Sequence, residues 1–148
     1  IEPGTAELAR KIASSDFSLY LFMGCKKDGN SVLHVTSHNF NEPSCLEMLS
    51  TASIVIGIHG CSGSNRICVG GLDKSLSMAL TKSLVTAGFL ATNSGHEYPA
   101  EHRLNICNRG ITGAGAQLEI SRDLRDNPEL SEKIAACVRD VVMGTVMP

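Results

Sequence analysis

The chain has 148 residues, 43% hydrophobic and 19% charged, which is the size and composition of one globular domain with its own core. Its apolar runs are far shorter than the roughly 20 residues that cross a bilayer, which indicates that it is not a membrane protein. Thirteen basic and fifteen acidic side chains give a net charge of −2 with no basic tail, and this balance argues against a nucleic-acid binder.

The first half of the chain alternates helical and extended patterns. In order, we predict a helix over 6–15, strands over 17–23 and 31–36, a helix over 44–50 and a strand over 53–58. Thr5 can cap the first helix, in which Leu8 and Ile12 share one face. Asp28, Gly29 and Asn30 form a turn of hairpin length between the first two strands. The pattern therefore indicates antiparallel pairing here.

The second half continues the alternation. We predict a strand over 67–69, a helix after Asp73, extended chain over 89–92 and 104–107, a strand over 116–121 and a final helix from 127–129. In the helix after Asp73, leucines at 76, 80 and 84 form an apolar stripe that ends at Gly88. Strands that alternate with helices predict an α/β fold, here one domain over 1–148 with an open mixed sheet flanked by helices.

Six cysteines could form three bridges, but none are spaced as Cys-x-x-Cys and a chain of this length does not need them. We expect free thiols and synthesis in a reducing cytoplasm. No signal peptide is recognisable at the start of the sequence.

His59 is the first candidate functional residue. It follows the predicted strand over 53–58 and precedes three small residues, Gly60, Cys61 and Ser62. Neutral imidazole in such a place is a zinc ligand or a general base. A histidine that simply bonds neighbouring backbone explains the position equally well. The sequence around Cys61 and Ser62 is also similar to a nucleophile elbow, although it is one residue shorter than Gly-x-Ser-x-Gly.

Three charged residues are further candidates. Glu2 precedes the first helix, where the helix dipole alone favours a carboxylate. Glu119 lies in the middle of a strand on the face opposite its leucine and isoleucine neighbours, and it needs a partner if that face is covered. Arg109 ends an extended stretch, where it can bind a carboxylate with both nitrogens or pair with a surface acid. From spacing alone, the chain is a hydrolytic or binding α/β domain.

Seven segments occur in this order along the chain: IEPGTAELA, SLYLFMG, LHVTSHNFNEP, IGIHGCSG, VGGLD, NICNRG and QLEIS. Together they resemble the phage-type poly-γ-glutamate hydrolases, once described as a family of unknown function and as a phage-related replication protein. The resemblance covers Ile1 to about Arg125. It implies a zinc peptidase that cleaves γ-amide links, with a zinc-carboxypeptidase-like fold.

The resemblance implies roles for individual residues. Glu2 and His59 match zinc ligands, and by analogy with carboxypeptidase-like sites Glu119 is the candidate general base. An anionic polymer also needs polar anchors, for which the candidates are Arg109, Asn108, Arg66 and His38. The first histidine ligand of the family precedes the position of Ile1. We therefore expect that an N-terminal segment with the first strand and this histidine is omitted.

The resulting hypothesis is a zinc-dependent poly-γ-glutamate hydrolase, a phage or prophage capsule or biofilm depolymerase. We expect a monomer that binds neither nucleic acid nor membrane, and that is made in the cytoplasm and acts outside the cell after release. Two alternatives stay open. One is a hydrolase that uses Cys61 or Ser62 as nucleophile with His59, and the other is a non-enzymatic phage replication-associated protein.

Overall fold

A four-stranded mixed sheet organises the chain, and the computed structural model describes residues 1–146. The strands are β1 (Ile56–Cys61), β2 (Ile67–Gly70), β3 (Ala91–Thr92) and β4 (Ala116–Ser121). They lie in the order β1-β4-β2-β3, in which β1 is parallel to β4, β4 antiparallel to β2, and β2 parallel to β3. The predicted open mixed α/β sheet is confirmed. Met147 and Pro148, the end of the predicted domain, lie outside the described residues.

Helices lie before, between and after the strands. The α-helices are α1 (Thr5–Ala13), α2 (Pro43–Leu49), α3 (Lys74–Thr86), α4 (Arg122–Asp126) and α5 (Pro128–Val146), and short 3₁₀ helices cover Asn30–Leu33 and Ile106–Asn108. Asp73 caps α3 as predicted, because its Oδ1 accepts from the Leu76 N–H at 2.9 Å. Thr5 does not cap α1: Gly4, in the left-handed region with φ 82°, precedes the helix. No described helix is both long and apolar enough to cross a membrane.

One face of the sheet is apolar. Ile58, Leu118 and Val69 lie in register across three strands and face the same side. Helices α1, α3 and α5 cover this face with buried side chains. The buried core consists chiefly of Leu8, Ile12, Ile67, Val69, Leu80, Leu84, Leu118, Ile120, Ile134 and Val138.

The opposite face carries polar side chains. His59, Glu119 and Cys68 form one row across β1, β4 and β2, and Gln117 lies in the next row. The segment before β4 covers part of this face, where the Asn105 side chain bonds to Gln117. Glu119 is buried there, so the sheet holds an acidic side chain away from bulk water.

Two predicted strands are wrong. Residues 17–23 form no strand, and Phe22 and Met23 are about half exposed. Residues 31–36 begin as the 3₁₀ helix Asn30–Leu33, in which Val32 is exposed. A strand needs a partner for its backbone groups, and no strand of the described residues pairs with either segment. The antiparallel pairing of the sheet comes instead from β2 with β4.

Other boundaries differ from the prediction. β1 begins three residues later than predicted, because its six residues pair in register with all six of β4, and His59 therefore lies within the strand. The segment 104–107 turns into the helix Ile106–Asn108, since the Asn105 side chain accepts from the Cys107 N–H at 3.1 Å. Helix α4 was not predicted. All six cysteines are free, as expected.

Candidate active site

The pairing of β1 with β4 places His59 beside Glu119. The two residues are register partners in a parallel pair, so their side chains project from the same face of the sheet. Leu118 and Ile120 on either side of Glu119 point into the helical core, which directs the carboxyl group to the polar face. The sheet itself thus brings together a histidine and an acid that are 60 residues apart.

Glu2 reaches the same place from the start of the chain. Its Oε2 lies 3.6 Å from His59 Nδ1 and accepts a hydrogen bond from the Gly60 N–H at 2.9 Å. The structure therefore brings together Glu2, His59 and Glu119, the three residues that were predicted to act on one centre.

Arg125 holds the segment that carries Glu2. Its buried guanidinium donates to the Ile120 carbonyl of β4 at 2.9 Å and also to the Pro3 carbonyl. The group packs directly against Gly60, where a Cβ atom would lie 2.6 Å from Arg125 Cζ. Arg125 thereby fastens residues 2–4 to the sheet. Sequence reasoning missed this residue, since no motif links positions 3 and 125.

Two more side chains at the centre were missed. His59 Nε2 lies 3.4 Å from Ser37 Oγ, and Glu2 Oε1 lies 3.9 Å from His34 Nε2. Both come from the segment 33–43, which supplied one of the family resemblances. In the sequence, only the resemblance of this segment to the family pointed to Ser37 and His34.

The charges at the centre influence one another. Burial alone would lower the pKa of His59, but its hydrogen bond to the Glu2 carboxylate and the charges of Glu119 and Glu2 outweigh burial and raise that pKa. Burial alone would raise the pKa of Glu2. The hydrogen bond from His59, the charge of His59 and the hydrogen bond from the Gly60 N–H together lower it. Glu2 is therefore ionised and forms an ion pair with the imidazole, at 3.6 Å.

Glu119 behaves differently from Glu2. Burial, with a smaller contribution from the Glu2 charge, raises its pKa to about 7, although the charge of His59 and the hydrogen bond from Gln117 favour the ionised form. Such a carboxyl group exchanges its proton near neutral pH, as a general base requires.

The chemistry of Glu2 and His59 fits two positions of a zinc site. Tetrahedral zinc with bonds of 2.0–2.1 Å places neighbouring donor atoms about 3.3 Å apart. The separation of 3.6 Å between Glu2 Oε2 and His59 Nδ1 is close to this spacing. Within residues 1–146, however, no group of three His, Cys, Asp or Glu side chains is arranged to hold a metal ion.

The two predicted arginine anchors differ in their partners. Arg66 binds Glu97 through both terminal nitrogens, at 3.2 and 3.0 Å, and also contacts Cys68 Sγ at 3.0 Å. Arg109 donates to the Phe40 carbonyl at 3.0 Å, and no carboxylate of the described residues lies within ion-pair distance of it. The Arg109 guanidinium therefore has no acidic partner within the described residues.

The other two predicted anchors lie in different settings. Asn108 is buried, accepts from the N–H groups of Leu72 and Gly115, and donates to two carbonyl oxygens. Its side chain is thus engaged in holding the loops together. His38 packs against His102, with ring centroids 4.9 Å apart, and lies on the surface.

The candidate nucleophiles are poorly placed for attack. Burial raises the pKa of the Cys61 thiol to about 11, so it is protonated near neutral pH. The ring nitrogens of His59 face Glu2 and Ser37, so neither is directed to Cys61 or Ser62.

A large cleft of about 1340 Å³ runs along β1. Glu2, His59, His34 and Ser37 line it, together with the segment 17–24 and residues of α1 and α5. Glu119 lies beside His59 but is not part of the cleft wall.

Comparison with known proteins gives consistent results. The family model of poly-γ-glutamate hydrolases matches residues 1–135. The chain is 41% identical over 128 residues to the SPbeta prophage-derived protein YoqZ of Bacillus subtilis (strain 168), a match that covers 84% of this chain and 46% of the relative. It is also 41% identical to YndL from the same organism, with 84% and 50% covered. The chain spans about half the length of these curated relatives.

Two solved structures share the fold. A bacteriophage poly-γ-glutamate hydrolase superposes with a TM-score of 0.90 and 32% identity, covering 98% of this chain and 79% of the other. A zinc-free form of YndL gives a TM-score of 0.90 with 33% identity, covering 99% of this chain and 81% of the other.

Proposed function

This chain belongs to the poly-γ-glutamate hydrolase family, and on that premise we propose that it is a zinc-dependent hydrolase of the γ-glutamyl amide bonds of poly-γ-glutamate. The observation that carries the proposal is the 3.6 Å separation of Glu2 Oε2 and His59 Nδ1, next to Glu119 in register on the neighbouring strand. The zinc-free form of YndL, a relative of the same fold, supports the choice of metal.

Glu2 and His59 would hold the zinc ion. When bound, zinc polarises an amide carbonyl and lowers the pKa of water to about 7. Glu2 suits this role because it is ionised, and its Gly60 and His59 contacts fix its orientation. Arg125 donates to the Pro3 carbonyl and so holds the backbone next to Glu2.

Glu119 would act as the general base. It lies next to His59, and its pKa of about 7 allows it to take a proton from water and give it to the leaving amine. Its burial matters for both steps, because an exposed carboxylate with an ordinary pKa would be a weaker base and would not retain the proton.

The polymer carries a free carboxylate on every residue, so binding needs cations near the cleft. We assign Arg109 as the principal anchor. It does not line the cleft, but it donates to the carbonyl of Phe40, which does, and no carboxylate of the described residues neutralises it. Arg66 already binds Glu97, and it would have to exchange this partner for a substrate carboxylate. His38 and Asn108 stay secondary candidates, and the bonds of Asn108 make it a support for the surrounding loops.

The biological setting is also part of the proposal. We assign the enzyme to removal of capsular or biofilm polymer outside the cell, after cytoplasmic synthesis and release, and we expect it to act as a monomer. A prophage-derived relative and a bacteriophage enzyme of the same fold support this setting.

The direct test follows the length of poly-γ-glutamate on a gel after incubation with the full-length, zinc-loaded protein. We expect shortening that a chelator abolishes and zinc restores. Glu119→Gln should lower the rate at least about 100-fold, because it removes the base. Glu129→Gln, on the exposed first turn of α5, is the matched control and should retain the wild-type rate.

Two results would count against the proposal. One is intact polymer after incubation with folded, zinc-loaded protein. The other is a Glu119→Gln variant as active as the wild type. Loss of activity in Cys61→Ala, with chelator-resistant activity in the wild type, would instead favour a thiol nucleophile.

A further inference from the structure

A line of buried polar side chains leads to Glu119, and the proposed mechanism does not use it. Asn105, Gln117 and Glu119 are 7%, 6% and 7% exposed. Asn105 Nδ2 donates to Gln117 Oε1 at 3.0 Å, and Gln117 Nε2 donates to Glu119 Oε1 at 2.8 Å. Three residues from two separate segments thus form one hydrogen-bonded chain on the polar face of the sheet.

The direction of this chain is set by the backbone. The Cys107 N–H donates to Asn105 Oδ1 at 3.1 Å, and a backbone N–H group can only donate. The amide nitrogen of Asn105 therefore faces Gln117 and donates to its side-chain oxygen. The nitrogen of Gln117 is left to face Glu119. Neither amide can turn round without placing two oxygens against each other.

The neighbours of Gln117 leave this arrangement undisturbed. Its register partners on both sides are glycines, Gly57 on β1 and Gly70 on β2. No side chain in the same row competes for the amide of Gln117. On Glu119, Oε1 is occupied while Oε2 bonds to no described residue. Since that part of the chain has no fully buried side-chain oxygen without a partner, Oε2 keeps a small exposed surface.

We propose that Gln117, oriented by Asn105, is a positioning residue that holds Glu119 by one oxygen and leaves the other free for proton transfer. The inference rests on the proposed function in that Glu119 is the base. The effect on catalysis comes from geometry, because a base displaced by about 1 Å can lose a factor of 100 in rate.

Two substitutions test the proposal by kinetics on poly-γ-glutamate. Gln117→Leu keeps the approximate size and removes the donor, so kcat should fall roughly 10- to 100-fold while KM stays within about twofold. Asn105→Asp keeps the acceptor for the Cys107 N–H but removes the donor to Gln117. The Gln117 amide should then turn its oxygen towards Glu119, and kcat should fall at least as far.

The control and the second readout separate this inference from the proposed function. Asn127→Asp makes the same change at an exposed cap, where an oxygen accepts from two N–H groups of α5, and it should leave kcat unchanged. In the metal-free protein, nuclear magnetic resonance should show a downfield side-chain amide proton of Gln117 that moves upfield in Glu119→Leu.

The outcomes are distinct. Unchanged kcat in both Gln117→Leu and Asn105→Asp, with an active wild type, overturns the positioning role and leaves the proposed hydrolase standing. An amide proton of Gln117 that does not respond to Glu119→Leu overturns the inference whatever the activity. An inactive wild type with a responsive amide proton rejects the hydrolase and retains the bond that fixes Glu119.

Discussion

At the scale of single residues, Glu2 and Glu119 show how position decides the chemistry of a carboxyl group. Glu2 meets an imidazole and a backbone N–H, and these contacts lower its pKa despite burial. Glu119 is buried next to a second carboxylate, and its pKa rises to about 7. In the proposed function, the two glutamates near His59 therefore take different tasks, Glu2 as a charged ligand and Glu119 as the base.

The raised pKa of Glu119 predicts a pH dependence of stability. Below about pH 4.5 the group is protonated in both the folded and the unfolded protein, and it contributes nothing. Between pH 4.5 and 7 only the unfolded chain releases the proton, so the free energy of unfolding falls as pH rises.

Denaturant unfolding of metal-free wild type and Glu119→Gln checks this effect. The wild type should lose up to about 3 kcal/mol relative to the variant between pH 4.5 and 8, since one pKa unit corresponds to about 1.4 kcal/mol. Parallel pH profiles for the two proteins would show that Glu119 is an ordinary exposed acid.

The sequence could identify some of these residues but not their supports. Glu2, His59 and Glu119 were singled out by their positions at predicted elements, and the resemblance then assigned their roles as ligands and base. Arg125, Asn105 and the other supports make contacts that depend on distant parts of the chain, and no local spacing reveals them.

At the scale of elements, helices and strands were predictable to different extents. The helix after Asp73 and the strand β4 (Ala116–Ser121) were located correctly, because cap residues and apolar spacing are local signals. The predicted strands 17–23 and 31–36 failed because a strand exists only with its partner. For the same reason β1 begins three residues later than predicted, because its pairing with β4 sets its ends and its own apolar run does not.

The packing of α3 gives a prediction at this scale. Leu80 is fully buried against the sheet, while Met78 on the same helix is 60% exposed. Leu80→Ala should lower the free energy of unfolding by about 2–5 kcal/mol, because it leaves a cavity. Met78→Ala, the matched control, should change it by less than about 0.5 kcal/mol. Equal effects in urea unfolding would mean that α3 does not pack as described.

At the scale of the whole molecule, the sheet divides the structural and the chemical parts of the chain. Three helices cover the apolar face and provide the core, while the side chains of His59 and Glu119 project from the polar face. The cleft along β1 is also lined by residues of α1 and α5. The α/β class with a mixed sheet could be predicted from the alternation of elements. The distribution of these elements between the two faces could not, since it depends on strand order, and the strand order depends on the long-range pairing of β2 with β4.

The measurement that tests the account most directly is the zinc content and affinity of the full-length protein and its variants after dialysis against buffered zinc. The wild type and Glu119→Gln should bind a single zinc ion with equal affinity, because Glu119 is not a ligand. Glu2→Gln and His59→Ala should each weaken binding by at least roughly 100-fold. Wild-type affinity in Glu2→Gln and His59→Ala would contradict the assignment of these two residues as the metal ligands.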